Sequence, residues 1–214
     1  MKFFALLPFV STLVSTLGPT LAFAETGKVA GAVTPARADV VVYLEGLPSK
    51  PSEDKQHPQI KQKDQQFSPR VVVVEKGHSV EFPNEDKIFH NVFSVSDGSK
   101  FDLGLYKSGE SKTVTFKRAG VVDIYCNIHP NMVAKVKVVD STAHALTGDD
   151  GRFTLAEVPP GTYTAVAWQP YGAEWRGPVT VKGGATVELA VPLAPGKPET
   201  GHLRKDGTPY GRYK

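Results

Sequence analysis

The sequence predicts an all-β protein. Short β-branched runs recur between Gly, Pro, Asn and Asp signals, as in Arg70-Val-Val-Val-Val-Glu75 and Val133 to Val139. No long segment carries a helical apolar period with capping residues at its ends. Where periodicity is clear, as in Val121-Val-Asp-Ile-Tyr-Cys126, it is the alternation of a half-buried strand.

Taken in order, the first 24 residues read as a secretory signal. Lys2 supplies the positive start, Phe3 to Leu17 is mostly apolar, and Ala22-Phe23-Ala24 fits the small-x-small cleavage pattern. Pro8 and the Gly18-Pro19 break keep the apolar run below the roughly 20 residues of a membrane span. The mature chain is expected to begin near Glu25 and to be exported to the periplasm. No later segment is apolar for long enough to cross a membrane. Lys28 to Thr34 and Asp39 to Leu44 then read as strands around a Pro-Ala-Arg turn. Gly46 to Lys63 is a polar connection. Strands follow at Arg70 to Glu75, His78 to Phe82, Asn91 to Val95, Ser111 to Phe116, Val121 to Cys126 and Val133 to Val139. After Asp140 the texture changes. Turns at Gly148-Asp-Asp-Gly151 and Pro159-Pro160-Gly161 separate strands at Arg152 to Leu155, Thr162 to Trp168, Gly177 to Val181 and Thr186 to Val191.

The formal charge is +3. The end of the chain carries Lys197, Arg204, Lys205, Arg212 and Lys214 against Glu199 and Asp206, which is +3 by itself. Residues 196–214 are rich in Gly, Pro and charge and are expected to be a disordered basic tail. The body has no basic face with interleaved aromatics, which excludes a nucleic-acid binder. It also lacks a nucleophile elbow, a phosphate loop and a persuasive acid/base pair among Glu81, Glu85 and Asp86. Trp168, Tyr171 and Trp175 fit either a docking platform or the packed edge of a sandwich. His57, His78, His144 and His202 sit near polar turns and are expected to face solvent.

The chemistry concentrates in Cys126-Asn-Ile-His-Pro-Asn-Met132, which holds the one cysteine and, besides Met1, the one methionine. A lone cysteine in an oxidising compartment has no partner for a disulfide within the chain. Alternation points Val122, Ile124 and Cys126 into the sandwich and Asp123 and Tyr125 away from it. Ala134, Val136 and Val138 continue the inward row, with Lys135 and Lys137 expected in water. His90 comes from a neighbouring connection, with Phe89 and Phe93 expected to anchor it to the core. Taken singly, His90 reads as a hydrogen-bonded histidine near the core, Cys126 as a small buried apolar group and Met132 as gap filling. Together His90, Cys126, His129 and Met132 offer two imidazoles, a thiolate and a thioether. That set suits a mononuclear copper site with a trigonal His/Cys/His plane and a weak axial sulfur.

The run His90-Asn-Val92 followed by Cys126-x2-His-Pro-x-Met132 resembles the cupredoxin family, and amicyanin most closely within it. The resemblance covers about residues 57 to 140. It implies an eight-stranded Greek-key sandwich with one copper, cycling between Cu(I) and Cu(II), at one end. It implies that Asn91 ties the two ligand loops together near the thiolate. It also implies an exposed edge of His129 framed by Ile128, Pro130 and Val133 as an apolar docking patch. The flanks, "GKVAGAVTPARADVVVYLEG" and "TGDDGRFTLAEVPPGTYTAVAWQP", resemble a carboxypeptidase-regulatory or transthyretin-like sandwich. The expected layout is therefore a signal peptide (1–24), a smaller discontinuous sandwich (25–50 and 141–195), and a cupredoxin domain (57–140) inserted into it. The whole resembles exported plastocyanin-like proteins labelled as methylamine-utilisation proteins.

The function expected from these residues is one-electron transfer between a redox donor and an acceptor, not enzymatic turnover. Three other readings stay open: a copper carrier or chaperone, a subunit of a copper redox enzyme, and an interaction module dominated by the second sandwich. Copper(I) carriers commonly use repeated Met or paired Cys, and an enzyme needs a second metal centre. The scattered histidines supply neither in sequence.

Overall fold

The computed structural model describes residues 25–50, 56–196 and 202–210. The expected signal sequence and parts of the basic tail lie outside the described residues. The fold is all-β: the described residues contain no helix, and so none long and apolar enough to cross a membrane. Two strands lead, β1 (Gly27–Thr34) and β2 (Val41–Leu44). Next come β3 (Lys61–Lys63), β4 (Gln66–Ser68), β5 (Val71–Glu75), β6 (Ser79–Pro83), β7 (His90–Ser94) and β8 (Phe101–Tyr106). These are followed by β9 (Ser111–Thr115), β10 (Gly120–Tyr125) and β11 (Val133–Val139). The chain closes with β12 (His144–Leu146), β13 (Arg152–Val158), β14 (Gly161–Trp168), β15 (Trp175–Val181) and β16 (Thr186–Pro192).

Strands β3 to β11 form one sandwich. Its main sheet runs β5-β11-β10-β7-β8, and the short pairs β6-β9 and β3-β4 face it. Val122, Ile124, Ala134, Val136 and Val138 point inward against Phe82 and Phe116, as alternation requires. The second sandwich pairs a β13-β1-β16 sheet with a β12-β2-β14-β15 sheet. Here β1 is the central strand, antiparallel to β13 and parallel to β16. The chain thus leaves this sandwich after β2 and returns at β12. The two crossing points are laced together: Leu44 N–H donates to Ala143 O at 3.1 Å and Thr142 N–H to Leu47 O at 2.9 Å.

Several expectations change. Lys135 and Lys137 are buried, at 8% and 6% exposure, rather than in water. The outer face of β5, β10 and β11 packs on the second sandwich, where Val71, Val73, Val121 and Val139 meet Val41, Tyr43 and Trp168. Lys137 lies over the Tyr43 and Trp168 rings with its ammonium 3.5 Å from Glu174, and Lys135 pairs with Asp123. The lysine stems cover apolar surface while their charged ends keep partners. Phe89 is 57% exposed instead of anchoring His90, because it precedes the strand; Phe93 alone is buried. Finally, His202 does not face solvent as expected, because residues 202–210 pack on the first sandwich. His202 stacks on Tyr125 with ring centroids 4.1 Å apart, and Phe93 lies beneath the same ring at 6.4 Å. Residues 202–210 therefore cover Tyr125 and Phe93 on the outer face of the sheet.

Candidate metal centre

The site forms where two connections meet at one end of the first sandwich. Strand β10 ends at Tyr125, so Cys126 is the first residue past it and keeps the inward direction of Ile124. The turn that follows is closed by its own backbone. Met132 N–H donates to His129 O at 3.2 Å, and Cys126 N–H donates to Met132 O at 3.3 Å. Both ends of the seven-residue stretch are thereby clamped, and His129 is held at its middle. On the other side, His90 opens β7 and is fully buried.

These elements bring three donors together. His90 Nδ1 lies 3.0 Å from His129 Nδ1, and Cys126 Sγ lies 3.6 Å from His129 Nδ1. One ligand atom from each residue falls within 4.8 Å of the others. Metal–nitrogen bonds of about 2.0 Å and metal–sulfur bonds of about 2.3 Å would span such separations. Two imidazoles and one buried sulfur are also the donor chemistry that copper takes up in trigonal sites. The residues therefore fit copper. Met132 is fully buried in the same apolar cluster as Cys126 and Ile124.

The protonation tendencies agree with this fit. Burial pushes the Cys126 thiol up, but a hydrogen bond with His90 and backbone N–H donors from Asn91, Ile128 and His129 outweigh it, so the thiol falls below its ordinary range. Burial, then the neighbouring His90 charge, push His129 down and favour its neutral ring. For His90, burial disfavours the cation, yet hydrogen bonds with Cys126 and Asp86 lift it above the usual value. A metal arriving between these groups displaces that proton.

Asn91 reaches across to the other loop. Its Oδ1 accepts the Asn127 N–H at 3.2 Å, and its Nδ2 donates to Asp102 at 2.7 Å. Asp86, which sequence reasoning set aside, touches the site directly: its Oδ2 is 2.9 Å from His90 Nε2. The signal was an acid four positions before the histidine in a turn, close enough to hold the ring from behind. Ile128, Pro130 and Val133 are all half-buried, and Ile128 packs against the inner core. The groove beside His129 is polar, lined by Asp64, Gln65, Gln66, Arg70, Pro130 and Asn131. Leu105 and Phe89, near the His90 side, are the most exposed large apolar chains among the described residues, at 58% and 57%.

Comparisons with known proteins match the chain in two regions. Residues 55–139 match the family of copper binding proteins of the plastocyanin/azurin type, and residues 130–194 match the carboxypeptidase regulatory-like domain. No curated protein matches. Among solved structures, a purple cupredoxin from Nitrosopumilus maritimus is 26% identical, with a TM-score of 0.35 over 38% of this chain and 99% of its own. A reduced Cu(I) mutant of amicyanin is 22% identical, with a TM-score of 0.38 over 46% of this chain and 98% of its own. An oxidised amicyanin mutant is 21% identical, with the same TM-score of 0.38 and the same coverage, 46% and 98%.

Proposed function

Since the chain joins a plastocyanin/azurin-type copper-binding region to a carboxypeptidase regulatory-like region, we propose that it is a type 1 copper protein that carries single electrons between redox partners. The observation that carries this reading is the meeting of His90, Cys126 and His129 within 4.8 Å at a buried site. In this reading His90 and His129 would hold the metal through nitrogen, Cys126 through its thiolate and Met132 through its thioether. Asn91 braces the two loops. Bound copper supplies the one-electron couple. The chain's contribution would be to hold the donors in place, with His90, Cys126 and Met132 fully buried. Asp86 and the clamped turn hold the rings so that neither ligand reorients during transfer.

The chain is proposed to act in the periplasm after cleavage near Ala24, as an electron carrier without turnover of its own. A donor and an acceptor dock where Ile128, Pro130 and Val133 frame His129. The copper sandwich of residues 57–140 is proposed to be one domain, inserted between residues 25–50 and 141–195 of the other. The central place of β1 between β13 and β16 supports that division.

The test is spectroscopic. The copper(II) protein is expected to show an intense blue thiolate charge-transfer band and narrow parallel hyperfine splitting, with one copper per chain. Cys126→Ser is expected to lose the band. A colourless wild-type copper complex overturns the electron-carrier reading and leaves the copper-carrier one, which metal-transfer rates then examine.

A further inference from the structure

Residues 202–210 do more than lie on the sandwich. They bond to the corner that sets the cysteine in place, and they do so at three points. The Tyr210 hydroxyl donates to the Cys126 carbonyl at 2.5 Å. The Lys205 N–H donates to the Asn127 side-chain oxygen at 3.0 Å. The Lys205 ammonium meets Asp102 at 2.5 Å, and Asp102 in turn accepts from Asn91. Because Asn91 also accepts the Asn127 N–H, the four residues Lys205, Asp102, Asn91 and Asn127 close a ring of hydrogen bonds. The segment is itself fixed by aromatic packing: His202 is stacked on Tyr125, Tyr210 meets His202 edge-on, and Arg204 lies over the Tyr210 ring.

The Cys126 carbonyl and the Asn127 N–H belong to one peptide plane. Tyr210 holds that plane from one side and Asn91 from the other. Rotation of the plane would swing the cysteine sulfur relative to the two imidazoles, so its restraint bears on how well the donors stay converged. From this geometry we infer that Tyr210 is a positioning residue of the metal site, and that the 202–210 segment is a strap that locks the Cys126–Asn127 corner. The inference rests on the copper reading for its effect on metal, but the locking itself belongs to the metal-free protein. Lys205 and Asp102 are both half-exposed, so their ion pair is a minor part of the lock. The partly buried tyrosine hydroxyl is the major part.

The experiment uses the full chain with Tyr210→Phe, which keeps the ring against His202 and removes only the hydroxyl. In copper-free protein, amide hydrogen exchange at Asn127 is expected to quicken about three- to tenfold, the size of one lost hydrogen bond. In copper-loaded protein, release of copper to a chelator is expected to quicken about tenfold, with a shifted thiolate band. Tyr210→Ala, which also removes the ring, is expected to do both at least as strongly. Tyr210→Phe that matches wild type in Asn127 exchange and in copper release overturns the inference, whatever its melting temperature. Should the wild-type protein take up no copper, the metal reading fails while the exchange measurement still decides the strap.

Discussion

Asp86 backs the buried ring of His90, and its replacement makes the sharpest prediction. Its Oδ2 accepts from the Gln65 N–H at 2.9 Å and lies 2.9 Å from His90 Nε2, while the opposite ring nitrogen faces the other two donors. Asp86→Asn preserves the shape and leaves a neutral acceptor. A charged acceptor contributes about 1.5–3 kcal/mol and a neutral one about 0.5–1.5 kcal/mol, so the difference is about 1–1.5 kcal/mol. That corresponds to roughly tenfold weaker copper binding. Asp86→Ala removes the acceptor altogether and is expected to approach the hundredfold loss seen when the outer partners of metal ligands are deleted. Competition against a chromogenic chelator at neutral pH measures both. The control is Glu85→Gln, which loses only a half-exposed pairing with Lys61. Asp86→Asn binding copper within twofold of that control would refute the claim that the carboxylate holds the ring.

The same carboxylate predicts an acid signature in the copper-free protein. The Gln65 backbone donor, then His90, hold Asp86 down at about 2 against its ordinary 3.8. A lowered folded-state value means stability fully present above the ordinary value and lost as pH falls through the folded one. The stability gap between wild type and Asp86→Asn in urea should therefore shrink from about pH 4 to about pH 2; a constant gap contradicts it. At the interface between the sandwiches, Lys137→Met keeps the apolar stem and is expected to stay within about 1 kcal/mol of wild type. Lys137→Glu sets like charge against Glu174 and is expected to cost about 3–5 kcal/mol. Urea unfolding separates them, and equal losses would show that charge plays no part there. Gly31→Ala puts a Cβ only 1.9 Å from the Leu189 carbonyl oxygen. The forced separation of β1 from β16 is expected to cost about 3 kcal/mol in thermal unfolding; an unchanged transition rules out the close approach.

Much of this arrangement was legible because its signals are local. Alternation placed Val122, Ile124 and Cys126 on one face, and the one cysteine lies in the same turn as His129 and the one methionine besides Met1. What escaped notice depends on distant surfaces. Lys135 and Lys137 alternate like solvent-facing residues, and only the second sandwich, packed on that face, buries them. Strand β8 was not expected, and in it Gly104, at φ +68°, shifts the alternation: Phe101 and Leu103 pack on the core, Leu105 turns outward and Tyr106 is buried. The β3–β4 hairpin escaped for a different reason. It is short and polar, with Gln62 and Phe67 its buried residues. The tail looked like solvent-loving chain by composition. Its rings find partners only on a sheet face built from residues far upstream, and composition carries no record of that.

The central position of β1 has a consequence for the order of events during synthesis. Its two neighbours, β13 and β16, leave the ribosome only after β3 to β11 are complete. The inner sandwich can thus mature while the first strand of the outer one is still waiting with both edges open. Pairing across so long a stretch of chain is slow. An exposed edge that persists for that interval invites pairing with a stray strand, so β1 is where misassembly would begin.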